Sequence, residues 1–142
     1  MFRQKFNIAE LTGAPAVFSR VLLIEPESYL RKLYHSHLSR HNFEVSAHPD
    51  LESGMIMLKF NKVNAAVIGL KKEEDWNMVF RVLKLMRSID PGLPFVTLGE
   101  NLPLPVLPKI MALGAASHLE RRLSRPDDIA EVVKAVLRFK DN

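Results

Sequence analysis

Short apolar runs alternate along this chain with longer stretches of helical periodicity, and this alternation restricts the possible fold more than any other feature. The clearest run, Ala65 to Leu70, is apolar throughout, which is typical of a central parallel strand covered on both faces. Comparable runs occur at Val21 to Ile24, Phe43 to Ala47, Phe95 to Leu98 and Ala115 to Leu119. Five strands separated by helices predict an α/β domain built around a parallel sheet.

Residues suited to helix capping stand before most of the helical stretches. Ser28, Asp50 and Asp75 each precede apolar residues at helical spacing, and their side-chain oxygens can accept hydrogen bonds from the first free amides. Ser124, with Asp127 three residues later, predicts a capping box at the start of the last helix. The helical stretches are therefore delimited at their amino ends.

The number and order of these elements predict a single doubly wound domain. Prolines 103, 105 and 108 limit the fourth helix to a short one, from Leu107 to Leu113, because proline is tolerated only in the first turn. Five strands and five helices predict a flavodoxin-like (βα)5 sheet of order 2-1-3-4-5 with helices on both faces. We assign residues 20–142 to this domain and residues 1–19 to an N-terminal extension, either a short helix or a mobile segment.

Composition excludes several classes of protein. The chain has no cysteine, so disulfides and thiolate metal sites are excluded. No run of eighteen apolar residues occurs, so no membrane span and a cytoplasmic location are expected. The net charge is +4, but basic and acidic residues are interspersed, as on an ordinary solvated surface. Nucleic-acid binding is therefore not the main expectation.

Three stretches of the sequence together resemble the receiver domains of bacterial two-component response regulators. They are VLLIEPE in the first strand, LPFVTL in the fourth and ALGAASHL before the fifth, and the resemblance extends from Val21 to about Phe139. It implies transfer of a phosphoryl group from a histidine kinase to an aspartate after the third strand. Such chemistry requires a carboxylate nucleophile, acids that hold Mg²⁺, a hydroxyl group and a cation.

The carboxylates that the resemblance requires are largely missing. Gly69 occupies the position of the phosphorylated aspartate, and the acids at 73–75 come too late along the chain to replace it. The family has two adjacent acids after the first strand, whereas this chain has Glu25 followed by Pro26. One remaining carboxylate is a poor magnesium site. We therefore expect neither a metal nor any other cofactor.

The hydroxyl and the cation of the family's pocket are also altered. Gly99 falls where the hydroxyl is expected, and Thr97 lies two residues too early. The expected lysine is Arg121 and the proline after it is Arg122, so the positive charge is kept without the Lys-Pro geometry. A buried cation needs a partner, and we hypothesise that Arg121 pairs with Glu25 across the pocket.

These departures predict a pseudo-receiver, a non-catalytic signalling module that acts by binding another protein. The partner could be a kinase, an output domain or a scaffold, and a homodimer through helix 4, strand 5 and helix 5 is a further option. In receiver domains these three elements form the partner surface. The residues predicted to form it here are Leu107, Ile110, Met111, His118, Arg122 and Lys134.

Two other functions remain open from the sequence. One is a response regulator receiver that still responds to phosphate or to a small ligand. The other is a nucleic-acid-binding module that would use a basic loop edge. The residues of that edge are Lys71, Lys72, Arg121, Arg122 and Arg125. Salt-dependent retention of DNA or RNA would favour the last option.

Histidines and a tryptophan in the helices have ordinary structural explanations. His37 and His41 have the spacing of a metal pair on the first helix, with His35 nearby. No third ligand is evident, so half-buried helix histidines are the expectation. Trp76 opens the third helix, within its apolar stripe, and is expected to pack in the core or over the pocket.

Overall fold

The computed structural model describes residues 18–140 and confirms the predicted architecture. Its single sheet contains five parallel strands in the order β2-β1-β3-β4-β5. The strands are β1 (Arg20–Ile24), β2 (Glu44–His48), β3 (Ala65–Gly69), β4 (Phe95–Gly99) and β5 (Ser117–Glu120). The helices are α1 (Ser28–Arg40), α2 (Leu51–Phe60), α3 (Trp76–Ile89), α4 (Val106–Ala112) and α5 (Pro126–Lys140). A 3₁₀ helix, Arg121–Leu123, follows β5 directly.

The sheet separates two hydrophobic cores, because successive side chains of a strand point to opposite faces. Leu22, Ile68 and Phe95 lie in the core beneath α2, α3 and α4. Leu23 and Val67 lie in the other core, beneath α1 and α5. Burial on both faces explains why the central strands are apolar throughout.

The strand register brings the carboxyl ends of four strands to one edge. Ile24 pairs with Ile68, Gly69 with Leu98, and Gly99 with Glu120. The residues that follow β1, β3, β4 and β5 therefore lie close together. In doubly wound sheets this edge is where ligands bind, and it holds the residues singled out from the sequence.

Two of the predicted helix caps are confirmed and one is wrong. The carboxylates of Asp50 and Asp75 accept hydrogen bonds from the amides of Ser53 and Met78, at 2.8 and 3.2 Å. Ser28 does not cap α1 but is its first residue. Glu27 is the cap, because its longer carboxylate reaches the amide of Leu30 at 2.7 Å.

The predicted capping box at the last helix is also wrong, by one residue. The hydroxyl of Ser124 donates to the carbonyl oxygen of Glu120 at 2.9 Å, so it turns back toward β5. The helix begins at Pro126, and the carboxylate of Asp128 accepts a hydrogen bond from the Arg125 amide at 2.8 Å. The acidic first turn still suits the positive end of the helix.

Several predicted boundaries shift by one or two residues. β2 begins at Glu44 rather than Phe43, and β5 spans Ser117–Glu120 rather than residues 115–119. The short helix α4 begins at Val106, and Gly114, at φ 109°, follows it. Most of the predicted N-terminal extension, residues 1–17, lies outside the described residues. Between residues 18 and 140, no helix is long and apolar enough to cross a membrane.

Candidate functional site

An ion pair joins two strand ends at the carboxyl edge of the sheet. Arg121 Nη2 donates a hydrogen bond to Glu25 Oε1 at 2.7 Å. The Glu25 side chain is 1% exposed and that of Arg121 is 14% exposed, so the carboxylate is buried and the guanidinium group is largely shielded from water. The pairing hypothesised from the sequence is therefore present.

Glu25 is held by further contacts that occupy its other oxygen and its backbone. Glu25 Oε2 accepts a hydrogen bond from the amide of Glu27 at 3.0 Å. Arg31 Nη1 donates to the carbonyl oxygen of Glu25 at 2.8 Å. Burial raises the pKa of Glu25, while the Glu27 amide and the positive charge of Arg121 partly oppose the rise. The carboxylate is thus fixed in one orientation by residues of the β1–α1 connection and by Arg121.

Tyr34 of α1 lies beside Arg121, at a place in the site that the sequence pattern did not predict. It is 3% exposed, and burial raises its pKa while the Arg121 charge opposes the rise. The Nε of Arg121 is buried and has no hydrogen-bond partner among the described residues. Helical spacing predicts which side of α1 is apolar but not which side chains reach the carboxyl edge of the sheet, so neither Tyr34 nor Arg31 could be predicted to lie in the site.

The ion pair fills the space into which a side chain at position 69 would project. A Cβ atom added to Gly69 would overlap Glu25 Oε1 and would lie 2.9 Å from Arg121 Nη2. Real Cβ atoms do not approach other atoms so closely, and both neighbours are held by the hydrogen bond that joins them. Gly69 and the Glu25–Arg121 pair are therefore sterically linked.

Position 99 is filled in a similar way. A Cβ atom on Gly99 would lie 2.9 Å from Leu102 Cδ2 and 3.3 Å from His118 Cε1. His118 Nδ1 is 2.7 Å from the buried hydroxyl of Thr97. Burial lowers the pKa of His118, and Glu120, 3.8 Å away, opposes this. The side chains over Gly99 therefore pack where a hydroxyl group is expected in the family.

The acids after β3 do not approach the ion pair. Glu74 accepts a hydrogen bond from the amide of Lys71 at 2.9 Å, and Asp75 caps α3. Glu73 is exposed. Among residues 18–140, no three histidine, aspartate or glutamate side chains are grouped so that they could hold a metal ion.

A cleft of about 410 Å³ opens beside the ion pair. Glu25, Pro26 and Arg121 line it together with Lys71 and Lys72 and two further acids. Its charges are mixed, so it has no uniform preference for an anion or a cation. Gly69 lines a second, smaller cleft of about 120 Å³ and not this one.

The predicted partner surface is only partly exposed. Leu107 and Met111 are 37% and 42% exposed on α4. The inclusion of Ile110 is wrong: it is fully buried in the core beneath α4, because it shares the inward face of that helix with Val106. The His118 side chain is only 9% exposed. Of the other two predicted residues, Arg122 is exposed and Lys134 is partly so.

The helix histidines and the tryptophan have structural partners. His37 Nδ1 and His41 Nε2 lie 3.0 and 3.3 Å from the same oxygen of Asp127 on α5. Hydrogen bonds from both rings lower the pKa of Asp127. Trp76 is partly buried against the core and lies beside Phe80. The two histidines link α1 to α5, and neither they nor Trp76 belongs to the ion-pair site.

Comparison with solved structures identifies the fold. A CheY-like response regulator receiver domain protein from Methanospirillum hungatei JF-1 superposes with a TM-score of 0.79 at 17% identity, covering 88% of this chain and 98% of that one. The fold is that of a CheY-like receiver domain. A response regulator from Thermotoga maritima matches at TM-score 0.73 and 14% identity, covering 86% of this chain and 99% of that one.

The receiver fold is also found in a relative described as an orphan response regulator. HP1043 of H. pylori matches at TM-score 0.73 and 15% identity, over 84% of this chain and 96% of that one. No protein-family model matches the sequence, and neither does any curated protein. At these identities the similarity establishes the fold, so the role of the pocket has to be argued from its own residues.

Proposed function

We propose that this protein is a non-catalytic signalling module with a receiver fold, which binds another protein and is not phosphorylated at position 69. The observation that carries the proposal is the Glu25–Arg121 pair, which occupies the space over Gly69. In this role the pair replaces the phosphoryl group and its metal with a permanent internal contact. In this proposal the binding surface of the module therefore keeps one conformation and is not switched by phosphorylation.

The charges of the pocket support this proposal. A magnesium ion requires several oxygen ligands, yet both oxygens of Glu25 already accept hydrogen bonds. Pro26 and Gly69 contribute no side-chain oxygen. The guanidinium group of Arg121 already compensates the charge of this carboxylate through the hydrogen bond that joins them.

The partner in this proposal is a kinase, an output domain or a scaffold. The receiver fold supports a signalling role, and the exposed apolar residues Leu107 and Met111 provide contact area on α4. Dimerisation through α4, β5 and α5 stays an option within the same proposal. Arg122 and Lys134 would then lie at the rim of the interface.

Intact-mass spectrometry after incubation with acetyl phosphate and Mg²⁺ tests the absence of phosphorylation. We expect no phosphoryl adduct on the wild-type protein. The Gly69→Asp variant serves as a matched sample, and it too should remain unmodified, because Glu25 and Arg121 obstruct the new side chain. A stoichiometric, acid-stable or acid-labile adduct on the wild-type chain would refute the proposal.

A second candidate function is a response to a small ligand in the cleft beside the ion pair. The cleft volume of about 410 Å³ and the presence of Lys71, Lys72 and Arg121 favour it. In this case ligand binding would replace phosphorylation as the signal. Saturable shifts of the Lys71, Lys72 and Arg121 resonances on addition of phosphate, without covalent modification, would favour this candidate over the first.

A further inference from the structure

The helices α3 and α4 carry the excess positive charge of the chain. Arg81, Lys84 and Arg87 lie on α3 and Lys109 lies on α4, and neither helix contains an aspartate or a glutamate. The formal net charge of the whole chain is +4. These four positive charges equal the net charge of the chain, so the basic and acidic residues in the rest of the sequence are equal in number.

The two helices lie side by side, and two of the cations are held in position. Lys109 Nζ lies over the ring of Phe80, 5.4 Å from its centre, a distance at which an ammonium group is attracted to an aromatic face. Arg87 Nη1 donates to the carbonyl oxygen of Leu113, just after α4, at 3.5 Å. These contacts bridge α3 and α4, so their cations form one surface, which we call the α3–α4 basic face.

The α3–α4 basic face is not neutralised from within the described part of the molecule. Its four cations are exposed, and none of them forms an ion pair with a carboxylate of residues 18–140. Elsewhere on the surface Arg20 and Lys134 are paired with Glu44 and Glu131, whereas the exposed Lys59 and Lys62 form no ion pair with the described residues either. The helix α1 also lacks acids, and the acid of α5 that lies near it, Asp127, is within hydrogen-bond distance of His37 and His41.

Exposed apolar side chains occur at the flanks of the same two helices. Leu85 is 46% exposed on α3, and Leu107 and Met111 are 37% and 42% exposed on α4. Phosphate groups of a nucleic acid gain little from contact with leucine or methionine. An acidic amphipathic segment of a protein gains from both kinds of residue, and methionine adapts readily to different partners.

We propose that the α3–α4 basic face docks an acidic amphipathic segment of a partner protein. The inference rests on the proposed role of the module in protein binding and specifies the chemistry of the partner. Carboxylates of the segment would lie against the four cations, and its apolar side chains against the exposed leucines and methionine. Charge complementarity of this kind steers association and selects the partner.

Binding of a fluorescein-labelled synthetic helix of glutamate and leucine tests the proposal by fluorescence anisotropy at physiological salt. The test variant replaces Arg81, Lys84 and Lys109 by glutamine. The control variant replaces Arg40, Lys59 and Lys62, three exposed cations outside the face, by glutamine. We expect the test variant to bind about tenfold more weakly and the control variant to bind within about twofold of wild type. Circular dichroism establishes that both variants are folded.

Three results would overturn the proposal. The first is no saturable binding of the peptide below about 1 mM, and the second is equal affinity of the test variant and the wild type. The third is tighter binding of duplex DNA, or of phosphatidylserine vesicles, through the same cations. Phosphorylation is measured on the same samples, so failure of the proposed function would appear as an adduct and not as a loss of peptide binding.

Discussion

The pocket at the carboxyl edge of the sheet and the α3–α4 basic face differ in how their charges are satisfied. In the pocket, the largely shielded Arg121 is paired with the buried Glu25, and a Cβ atom at position 69 would overlap Glu25 Oε1. On the basic face, the cations are exposed and have no acidic partner among the described residues. Charges that are satisfied internally maintain a fold, whereas exposed charges of one sign remain available to a partner.

Removing the cation from the pocket should have the largest effect. Arg121→Met leaves the buried carboxylate of Glu25 without its partner, and we expect the free energy of unfolding to fall by about 3–5 kcal/mol. Urea denaturation measures the loss. Arg125→Met is the control, because Arg125 is 86% exposed, and it should change stability by less than about 0.5 kcal/mol.

The double variant Glu25→Leu/Arg121→Met shows whether the loss arises from the unpaired charge. Replacing both members of a buried ion pair by apolar residues is often tolerated, so much of the lost stability should return. If Arg121→Met alone is as stable as the wild type, the ion pair does not hold the pocket together.

Adding a methyl group at position 69 should have the next largest effect. In Gly69→Ala the new Cβ would overlap Glu25 Oε1, and overpacking of this kind costs about 1–3 kcal/mol. Thermal and urea denaturation measure the change. Gly92→Ala is a matched control, because the nearest atom to its Cβ would be 3.9 Å away. Equal effects of the two substitutions would contradict the steric link between Gly69 and the ion pair.

The two regions also differ in how far the sequence could predict them. The fold and the order of the strands follow from buried apolar runs, and the Glu25–Arg121 pair follows from the need of a buried cation for a partner. The predicted caps at Ser28 and Ser124 were wrong because Glu27 caps α1 at the Leu30 amide and the Ser124 hydroxyl donates to the carbonyl oxygen of Glu120.

The basic face was not predicted at all. The four cations are dispersed from position 81 to position 109, and only the packing of α3 beside α4 brings them together. The burial of Ile110 was missed for a related reason. On a helix of seven residues, the inward face cannot be told from the outward one by periodicity alone.

The pH dependence of stability distinguishes His118 from exposed histidines. Burial lowers the pKa of His118 below its ordinary value of about 6.5, so the unfolded chain binds the proton more readily than the folded one. The stability that depends on neutral His118 is therefore present above about pH 6.5 and decreases as pH falls from there toward the lowered pKa.

Replacing His118 by glutamine should remove this part of the pH dependence. Urea denaturation between pH 5 and 8 should show a smaller acid-induced loss for His118→Gln than for the wild type. His35→Gln, at an exposed position of α1, should keep the wild-type profile. Identical profiles for all three proteins would show that His118 is protonated as easily in the folded state as in the unfolded one.

Neutralising the basic face should have the smallest effect on the fold. Lys84→Gln removes an exposed charge with no ion-pair partner among the described residues, and we expect stability to change by less than about 0.5 kcal/mol. Urea denaturation of Lys84→Gln and Arg121→Met under the same conditions compares the two losses of stability directly. A loss of several kcal/mol would mean that the face, like the pocket, is part of what stabilises the fold.

In the proposed function, the Glu25–Arg121 pair closes the pocket at the carboxyl edge of the sheet to a metal ion and a phosphoryl group. The most direct test is an amide NMR titration of the wild-type protein with Mg²⁺ and beryllofluoride, which mimic the metal and the phosphoryl group. We predict no saturable shifts at Gly69, Leu70 or Arg121. Saturable shifts concentrated at these residues would show that the pocket still accepts both groups, and would contradict the claim.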